Sequence, residues 1–454
     1  MGNKLKAHID IPYGASLIMN LLNRAGYKAY IVGGCVRDVF MHRSPKDWDI
    51  CTSAKPDEVE AALIGMKIIK TGIKHGTVTI IVGNDAFEVT TFRIDGEYKN
   101  NRKPESVSFV SDINEDLARR DFTMNAIAYN HQDGFVDPYG GIADIDKRIV
   151  RCVRNSEKRF EEDALRIMRC LRFASVFGFC VESRTKDELL RNLYLLENIS
   201  RERVRDEFNK LLLGDSVGVI LREYREVFAS IIPEIIPMFD LDQENNFHVY
   251  DVWEHTISVI EKLPQDLTLR LAGFFHDSGK PSCKFVENGV GHFYGHERTS
   301  ARIASSVLKR FRYDNLTIEY VVDVVKNHSI VFAPRTRQPL RLLNKMGEEK
   351  LKLLIELELA DVKSQNPAFA RERTENILTF KSDLVEILET EACFSLKDLA
   401  VNGCDLMKLG IPRGRMVGEI LDKLLSQVLE GNLENDKDSL IATAIEMFNR
   451  KAQK

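Results

Sequence analysis

Asp47 and Asp49 stand on either side of Trp48 at the end of the stretch IVGGCVRDVFMHRSPKDWD. On an extended segment, residues i and i+2 point to the same face, about 6.6 Å apart along the strand. Two carboxylates so placed suit magnesium, which takes a few carboxylates and completes its shell with substrate phosphates. A pair of such ions can clamp the attacking and leaving oxygens of a displacement. Upstream, Gly33 and Gly34 separate the strand-like KAYIV from the helix-like CVRDVF. Glycine lets a phosphate approach the backbone, a helix start offers unpaired amide donors to an anion, and Arg37 adds positive charge in the first turn. A DxD segment alone describes many exposed turns. The phosphate-type glycine turn beside it directs the reading to phosphoryl chemistry. In AFEVTTF, Glu88 alternates with the apolar Phe87 and Val89, so it points away from their side. It is either a third carboxylate of the same site or a solvent-facing strand position.

A second constellation lies in EDALRIMRCLRF, where Asp163 and Arg166 have the i, i+3 spacing of helical neighbours. One reading is a helical salt bridge worth a few tenths of a kcal/mol. The other concerns base edges. Cytosine and adenine each present an amino donor beside a ring-nitrogen acceptor, whereas uracil and guanine present the reverse. A carboxylate beside a guanidinium matches the first pattern and opposes the second. Arg169 and Arg172 continue at three-residue steps, each turning the helix face by about 60°, a slanting ribbon suited to a nucleotide's phosphates. From Lys147 to Arg172 there are nine cationic residues against four acidic ones, and Arg201, Arg203 and Arg205 follow. Such a local excess is the footprint of RNA binding, with affinity that falls as salt rises. A solvated basic helix is the alternative.

A third cluster comprises His255, the adjacent pair His276 and Asp277, and Asp361. Neutral imidazoles and carboxylates are ligands for divalent transition metals. His292, His296 and His328 are further ligands or substrate contacts in this reading, and a metal-free scaffold is the alternative.

The elements that carry these groups fall into two regimes. Up to about Val150, the segments KAYIV, WDICT, TVTIIV, AFEVTTF and NAIAYN read as strands, with helices near Ala15–Ala25 and Pro56–Leu63. Beyond it, DALRIMRCLRFASVF, DVWEHTISVIEKL, LRLLNKMGEEKLKLLIELELADV and GEILDKLLSQVLEG keep helical spacing. The expected division is a head at 1–150, a neck at 151–215, a body at 216–390 and a tail at 391–454. The chain has 454 residues and a formal net charge of −4, which decides nothing about nucleic acid because the placement of charge matters. No apolar run is long enough to span a bilayer, MGNKLKAHID is no signal peptide, and Lys6 stands where a myristoylation signal needs Ser or Thr. Eight cysteines without a CxxC pair read as reduced thiols of a cytoplasmic protein.

The motifs GGCVRD, DWD, EVTTFR, RRDFTMNAIA at Arg119–Ala128, DPYGG at Asp137–Gly141, EEDALRIMRCLRF at Glu161–Phe173 and NGCDLMKLGIPRGRMVGEIL in the tail together resemble the bacterial class II tRNA nucleotidyltransferases. These are the CCA-adding enzymes and their poly(A) polymerase relatives. Cys35 stands where alanine is commoner and Trp48 where isoleucine is commoner. The resemblance implies an α+β fold, with a small mixed polymerase-β-like head followed by an extended all-α neck, body and tail. It implies template-independent addition of C, C and A to the 3′ end of tRNA from CTP and ATP with Mg2+. Asp47, Asp49 and Glu88 are then catalytic. Gly34, Arg37, Arg120, Asp163 and Arg166 contact the nucleotide, beside Arg169 and Arg172. The loop DGEYKNNRKPESVSF is of the kind that lets the pocket switch from C to A. A poly(A) polymerase or an A-only or CC-only enzyme is the nearest rival. The cluster of His255, His276, Asp277 and Asp361 resembles the HD phosphohydrolases, implying a second metal and a phosphatase or cyclic phosphodiesterase activity. A hydrolase whose head merely binds nucleotide is the rival of another class.

Overall fold

The computed structural model describes residues 9–96, 98–99, 101, 103–104, 106–390 and 395–452. The chain divides into two compact units, Met1–Pro233 and Glu234–Lys454. The boundaries expected at 150 and 215 fall inside the first unit, and that at 390 inside the second.

The first unit is built on a seven-stranded mixed sheet. Its order is Gly134–Val136, Ala128–Asn130, Ala29–Val32, Ile50–Thr52, Asp85–Thr91, Thr77–Val82, Lys67–Gly72. Only Ile50–Thr52 and Asp85–Thr91 run parallel, with Ile50 opposite Val89. A parallel neighbour needs a long crossover, here the helix Pro56–Ala62 followed by the Lys67–Gly72 and Thr77–Val82 hairpin. Ala29–Val32 is buried along its whole length, as an apolar run in a sheet covered on both sides should be. Helix Tyr13–Arg24 buries Ala15, Ile18, Met19 and Leu22, the one-face spacing of an amphipathic helix. A core of Tyr30, Val32, Cys51, Phe92, Leu117 and Ala128 also takes in Val153, so the segment after the sheet is part of the same packing.

Several elements differ from expectation in detail. The WDICT strand begins only at Ile50, which leaves Asp47 and Asp49 on the irregular lead-in. That lead-in is still tied to the sheet, because Val32 N donates to Asp49 O at 3.0 Å. NAIAYN is a strand only over Ala128–Asn130, after a 3-10 turn at Thr123–Asn125. Helix Leu165–Phe177 does not extend back through Asp163, which is extended at φ −137°, ψ 101° after the separate helix Ser156–Glu162. In the loop Asp95–Phe109, the strands Arg93–Asp95 and Val107–Phe109 pair, as do Tyr98–Lys99 and Lys103–Pro104. Residues 97, 100, 102 and 105 of that loop lie outside the described residues.

The second unit is helical apart from one hairpin, Phe285–Glu287 with Val290–His292. Asp251, Asp266 and Asp314 cap three of its helices by accepting from the amides of Glu254, Leu269 and Thr317, each a contribution of about 1 kcal/mol. The single long helix expected over LRLLNKMGEEKLKLLIELELADV is two, Gln338–Met346 and Glu348–Lys363, hinged at Gly347 with φ 80°. Val401, Leu406, Ile420, Leu424 and Leu440 form a separate core near the C-terminus. No helix among the described residues is long and apolar enough to cross a membrane.

Candidate active site

A cavity of about 990 Å³ in the first unit is lined by Gly34, Arg37, Asp47, Asp49, Arg120, Asp163, Arg166, Arg169 and Arg172. Of the residues singled out in head and neck, only Glu88 stands outside that lining. Nine cationic and five acidic side chains face the cavity, which suits a polyanion that brings its own cations.

The glycine turn places the first cation. Gly33 sits at φ 78°, ψ −122°, a conformation open essentially to glycine, and a Cβ there would lie 2.7 Å from Arg120 Nη1. Its carbonyl starts helix Gly34–Phe40 by accepting from Arg37 N at 3.0 Å. The Arg37 guanidinium is fixed on every side. Nη1 donates to Asn125 Oδ1 at 2.7 Å, while Nε and Nη2 both donate to Asp38 Oδ1. Its face lies over the Phe177 and Phe173 rings, 4.7 and 5.3 Å from their centroids.

Asp47 and Asp49 are both open to the cavity. Partial enclosure by protein raises the Asp49 pKa; Arg120 opposes the rise, and the negative charges of Glu88 and Asp47 add to it. Glu88 therefore acts on Asp49 electrostatically from an exposed position on strand Asp85–Thr91. Three carboxylates that disfavour one another's charge suit a divalent cation. Their oxygens are not closed up in the structure. Among the described residues, the two sets of three donors within 4.8 Å of one another lie elsewhere.

Asp163 and Arg166 line the cavity together but do not bond to each other. Arg166 Nη1 donates to Glu162 Oε2 at 2.7 Å and Arg159 O at 2.9 Å, and Nη2 to Arg119 O at 3.1 Å. Asp163 accepts from Leu165 N at 3.1 Å and from Arg203 Nη2 at 3.1 Å. Each is thus held by third parties, and the helical salt bridge between them does not form.

Asp121, to which the sequence assigned no separate role, organises the far side. Its Oδ2 receives Arg169 Nε at 2.9 Å and Nη2 at 2.5 Å, and its Oδ1 receives Phe122 N and Asn125 Nδ2. Burial works against the Asp121 charge, yet Arg169 and these hydrogen bonds hold its carboxyl well below the usual range. Arg172 contacts Glu207 Oε2 at 3.1 Å and lies over Phe173 at 4.0 Å. Burial brings its pKa down to about 10 against the pull of Glu207. The arginine ribbon is therefore partly neutralised by Asp121 and Glu207, which spacing alone did not reveal.

In the second unit, Asp277 is the centre of the other cluster. His255 Nε2, His276 Nε2 and Lys280 Nζ approach its Oδ2 at 3.5, 3.2 and 2.8 Å, and His296 Nε2 and His328 Nε2 its Oδ1 at 3.3 and 3.7 Å. Two three-donor sets share it, His255 with His276 and His296 with His328. Nδ1 of His276, His296 and His328 lies 2.7, 2.8 and 2.6 Å from a backbone carbonyl. A carbonyl only accepts, so the proton belongs on Nδ1 and Nε2 is the free lone pair, as in histidines that bind metal. Burial opposes ionisation of Asp277, but His276 and Lys280 hold its pKa well below the ordinary value. Asp361, expected as a ligand, stands one step back, with Oδ1 on His255 Nε2 at 2.7 Å and Oδ2 on Gln365 Nε2 at 3.1 Å. His248, not singled out from the sequence, lines the adjoining cavity of about 520 Å³. The Nδ1 atoms of His248 and His255 are buried with no hydrogen-bond partner among the described residues, which fits a site built for an additional ligand.

Comparison with known proteins bears on both units. Residues 29–151 match the model of the Poly A polymerase head domain. Residues 178–239 match the "Probable RNA and SrmB- binding site of polymerase A", and residues 297–444 match a tRNA nucleotidyltransferase domain 2. A CCA-adding enzyme of Lactobacillus johnsonii is 32% identical over 435 residues, 93% of this chain and 94% of the relative. One of Lactobacillus delbrueckii subsp. bulgaricus is 47% identical over 197 residues, a match that spans 43% of this chain and 49% of the relative. The crystal structure of the Bacillus stearothermophilus CCA-adding enzyme in complex with CTP matches with a TM-score of 0.70 at 29% identity, covering 98% of this chain and 100% of that one.

Proposed function

The chain belongs to the CCA-adding enzymes, and on that premise we propose that it adds C, C and A to the 3′ end of tRNA without a template, using CTP and ATP and releasing pyrophosphate. One observation carries the reading at residue level: the glycine turn with Arg37, the pair Asp47 and Asp49, and the pair Asp163 and Arg166 all line one cavity. Asp47 and Asp49 would hold Mg2+, supported by the mutual disfavour of charge among Asp49, Asp47 and Glu88. When bound, Mg2+ supplies neutralisation of charge on the phosphates and on the oxygens that exchange.

The chain's own residues do the rest. Arg37 and Arg120 face the triphosphate from fixed positions, and Arg169 and Arg172 add a partly neutralised positive wall. Asp163 accepts from the amino group shared by cytosine and adenine, and Arg166 donates to their ring nitrogen. Arg203 and Glu162 aim the two. Glu88 biases the site electrostatically and is available to the attacking 3′-hydroxyl's proton. The paired strands of the Asp95–Phe109 loop are the element we assign to switching from C to A, which favours addition of both bases over a CC-only enzyme. The helical second unit holds the tRNA by shape and phosphates, and the cytoplasm is the matching location. Incorporation of labelled CMP and AMP into a tRNA transcript lacking its 3′ end tests the reading. Asp47→Ala and Asp49→Ala chains that fold normally and still transfer at the wild-type rate would overturn it.

A second activity is favoured by one specific observation, the two donor sets that share Asp277. We read this cluster as a divalent transition-metal site of a phosphohydrolase.

A further inference from the structure

The hairpin Phe285–Glu287 and Val290–His292 leaves an array of flat rings exposed. Phe285 and His292 are cross-strand partners, and their rings stack at 5.2 Å with 28° between planes. Tyr294 continues the stack on His292 at 5.4 Å and 13°. Tyr294 is 75% and Phe285 44% exposed, so the stack packs against no core. The turn between the strands, Asn288 and Gly289, has φ 53° and 77°, the pairing that gives a tight hairpin matched to strand twist.

The position of this array is not casual. His292 and Tyr294 line the same cavity as Asp277, His296 and His328, and His296 follows Tyr294 by two residues. The hairpin is also pinned to the cluster from behind. Gly291 N donates to Glu244 O at 2.8 Å, and a Cβ on Gly291 would meet Gln243 O at 2.2 Å. Gln243 Oε1 in turn accepts from Lys280 Nζ at 2.7 Å, the same amine that contacts Asp277 Oδ2. The cavity thus has a rigidly placed aromatic surface beside an imidazole and carboxylate cluster, with Arg373 also in its lining.

Resting on the hydrolase reading of this cluster, we propose that the Phe285, His292 and Tyr294 stack is a base platform that selects phosphate monoesters carrying a nucleobase. A base has a flat π-face that stacks on exposed aromatics whatever its hydrogen-bonding edge, while the phosphate reaches the Asp277 cluster. Water oxygen attacks phosphorus, the ester P–O bond breaks, and the leaving oxygen takes a proton, giving a nucleoside and inorganic phosphate.

The test uses the full chain loaded with Mn2+. Phosphate release is measured from adenosine 2′-, 3′- and 5′-monophosphates and from ribose 5-phosphate, a base-free ester. The wild type should prefer at least one adenosine ester over ribose 5-phosphate by about 5- to 150-fold in kcat/KM, the worth of one stacked base. Tyr294→Ala should collapse that preference through KM, and Tyr294→Phe should restore it. Calorimetric binding of the preferred ester should weaken in Tyr294→Ala by the same factor; any binding in the other unit is common to both chains and cancels. No preference in the wild type, or a preference kept by Tyr294→Ala, overturns the platform while leaving the hydrolase. Failure to hydrolyse any ester faster than Asp277→Ala removes the hydrolase reading itself, and the platform with it.

Discussion

Truncating Asp163 to alanine separates base recognition from the rest of the chemistry. The carboxylate is aimed by Arg203 at 3.1 Å and by the Leu165 amide at 3.1 Å, and Arg166 keeps its own anchors on Glu162, Arg159 and Arg119. The substitution therefore removes one charged acceptor without releasing its neighbour. A hydrogen bond to a charged group is worth about 1.5–3 kcal/mol, so kcat/KM for CTP and ATP should fall by about 10- to 150-fold. Loss of the bond to Leu165 N should cost a further ~1 kcal/mol of stability, as for other short caps. UTP and GTP have a carbonyl where CTP and ATP have the amino group, and that carbonyl meets the Asp163 charge unfavourably. Their kcat/KM should hold or rise, and the ratio of CTP to UTP should shrink by the full factor. Single-nucleotide incorporation into a tRNA transcript, run with each triphosphate separately, reads the four values. An unchanged ratio of CTP to UTP in a folded Asp163→Ala chain would refute base reading by this carboxylate.

Other perturbations probe the supports of the site. Gly33→Ala puts a Cβ 2.7 Å from Arg120 Nη1 at a φ of 78°; displacement of that guanidinium should lower transfer by about 100-fold, the usual cost of a 1 Å misplacement, with KM for the triphosphate rising in steady-state assays. The Asp121 carboxyl is held below its ordinary range, so its stabilisation is fully present above the unfolded value of about 4 and is lost as pH falls through the folded value. Arg169 is partly exposed, with a relative side-chain exposure of 32%, so Asp121→Asn should cost about 1–3 kcal/mol rather than the 3–5 of a fully buried pair. The gap between the two urea-unfolding curves should be constant from about pH 5 to 7 and narrow below about pH 4. Mn2+ should raise the melting temperature of the wild type and not of Asp277→Ala, since a ligand that binds only the folded state stabilises it; equal shifts in both chains would exclude the Asp277 cluster as the metal site.

What the sequence disclosed and what it withheld have separate physical causes. The strands Thr77–Val82 and Asp85–Thr91 were legible because β-branched residues alternate over a half-buried surface. The glycine turn was legible because only glycine takes the φ of 78° seen at Gly33. The edge strand Lys67–Gly72 was missed; its Ile69 is 39% exposed, and it lacks the pattern of a buried strand. The helix break at Asp163 was missed because apolar spacing runs on through Leu165, Ile167 and Met168, while the Asp163 carboxylate bonds locally to Leu165 N and competes with the helix. The break at Gly347 was lost in the same way, beneath a continuous apolar period. The hardest feature was the role of Asp121. Its partner Arg169 lies 48 residues away, and the sheet and neck must pack before the two can meet. The residues of the triphosphate site were therefore nameable from spacing, whereas the groups that hold them, Asn125, Arg203, Glu207 and Asp121, belong to tertiary structure.

The most direct measurement is to incubate the pure chain with magnesium, all four nucleoside triphosphates and a tRNA transcript lacking its 3′ end, and to sequence the products. The account predicts addition of C, C and A followed by a stop, and no addition by an Asp49→Ala chain that folds normally. Incorporation of U or G at rates comparable to C and A, or an Asp49→Ala chain as active as the wild type, would contradict it.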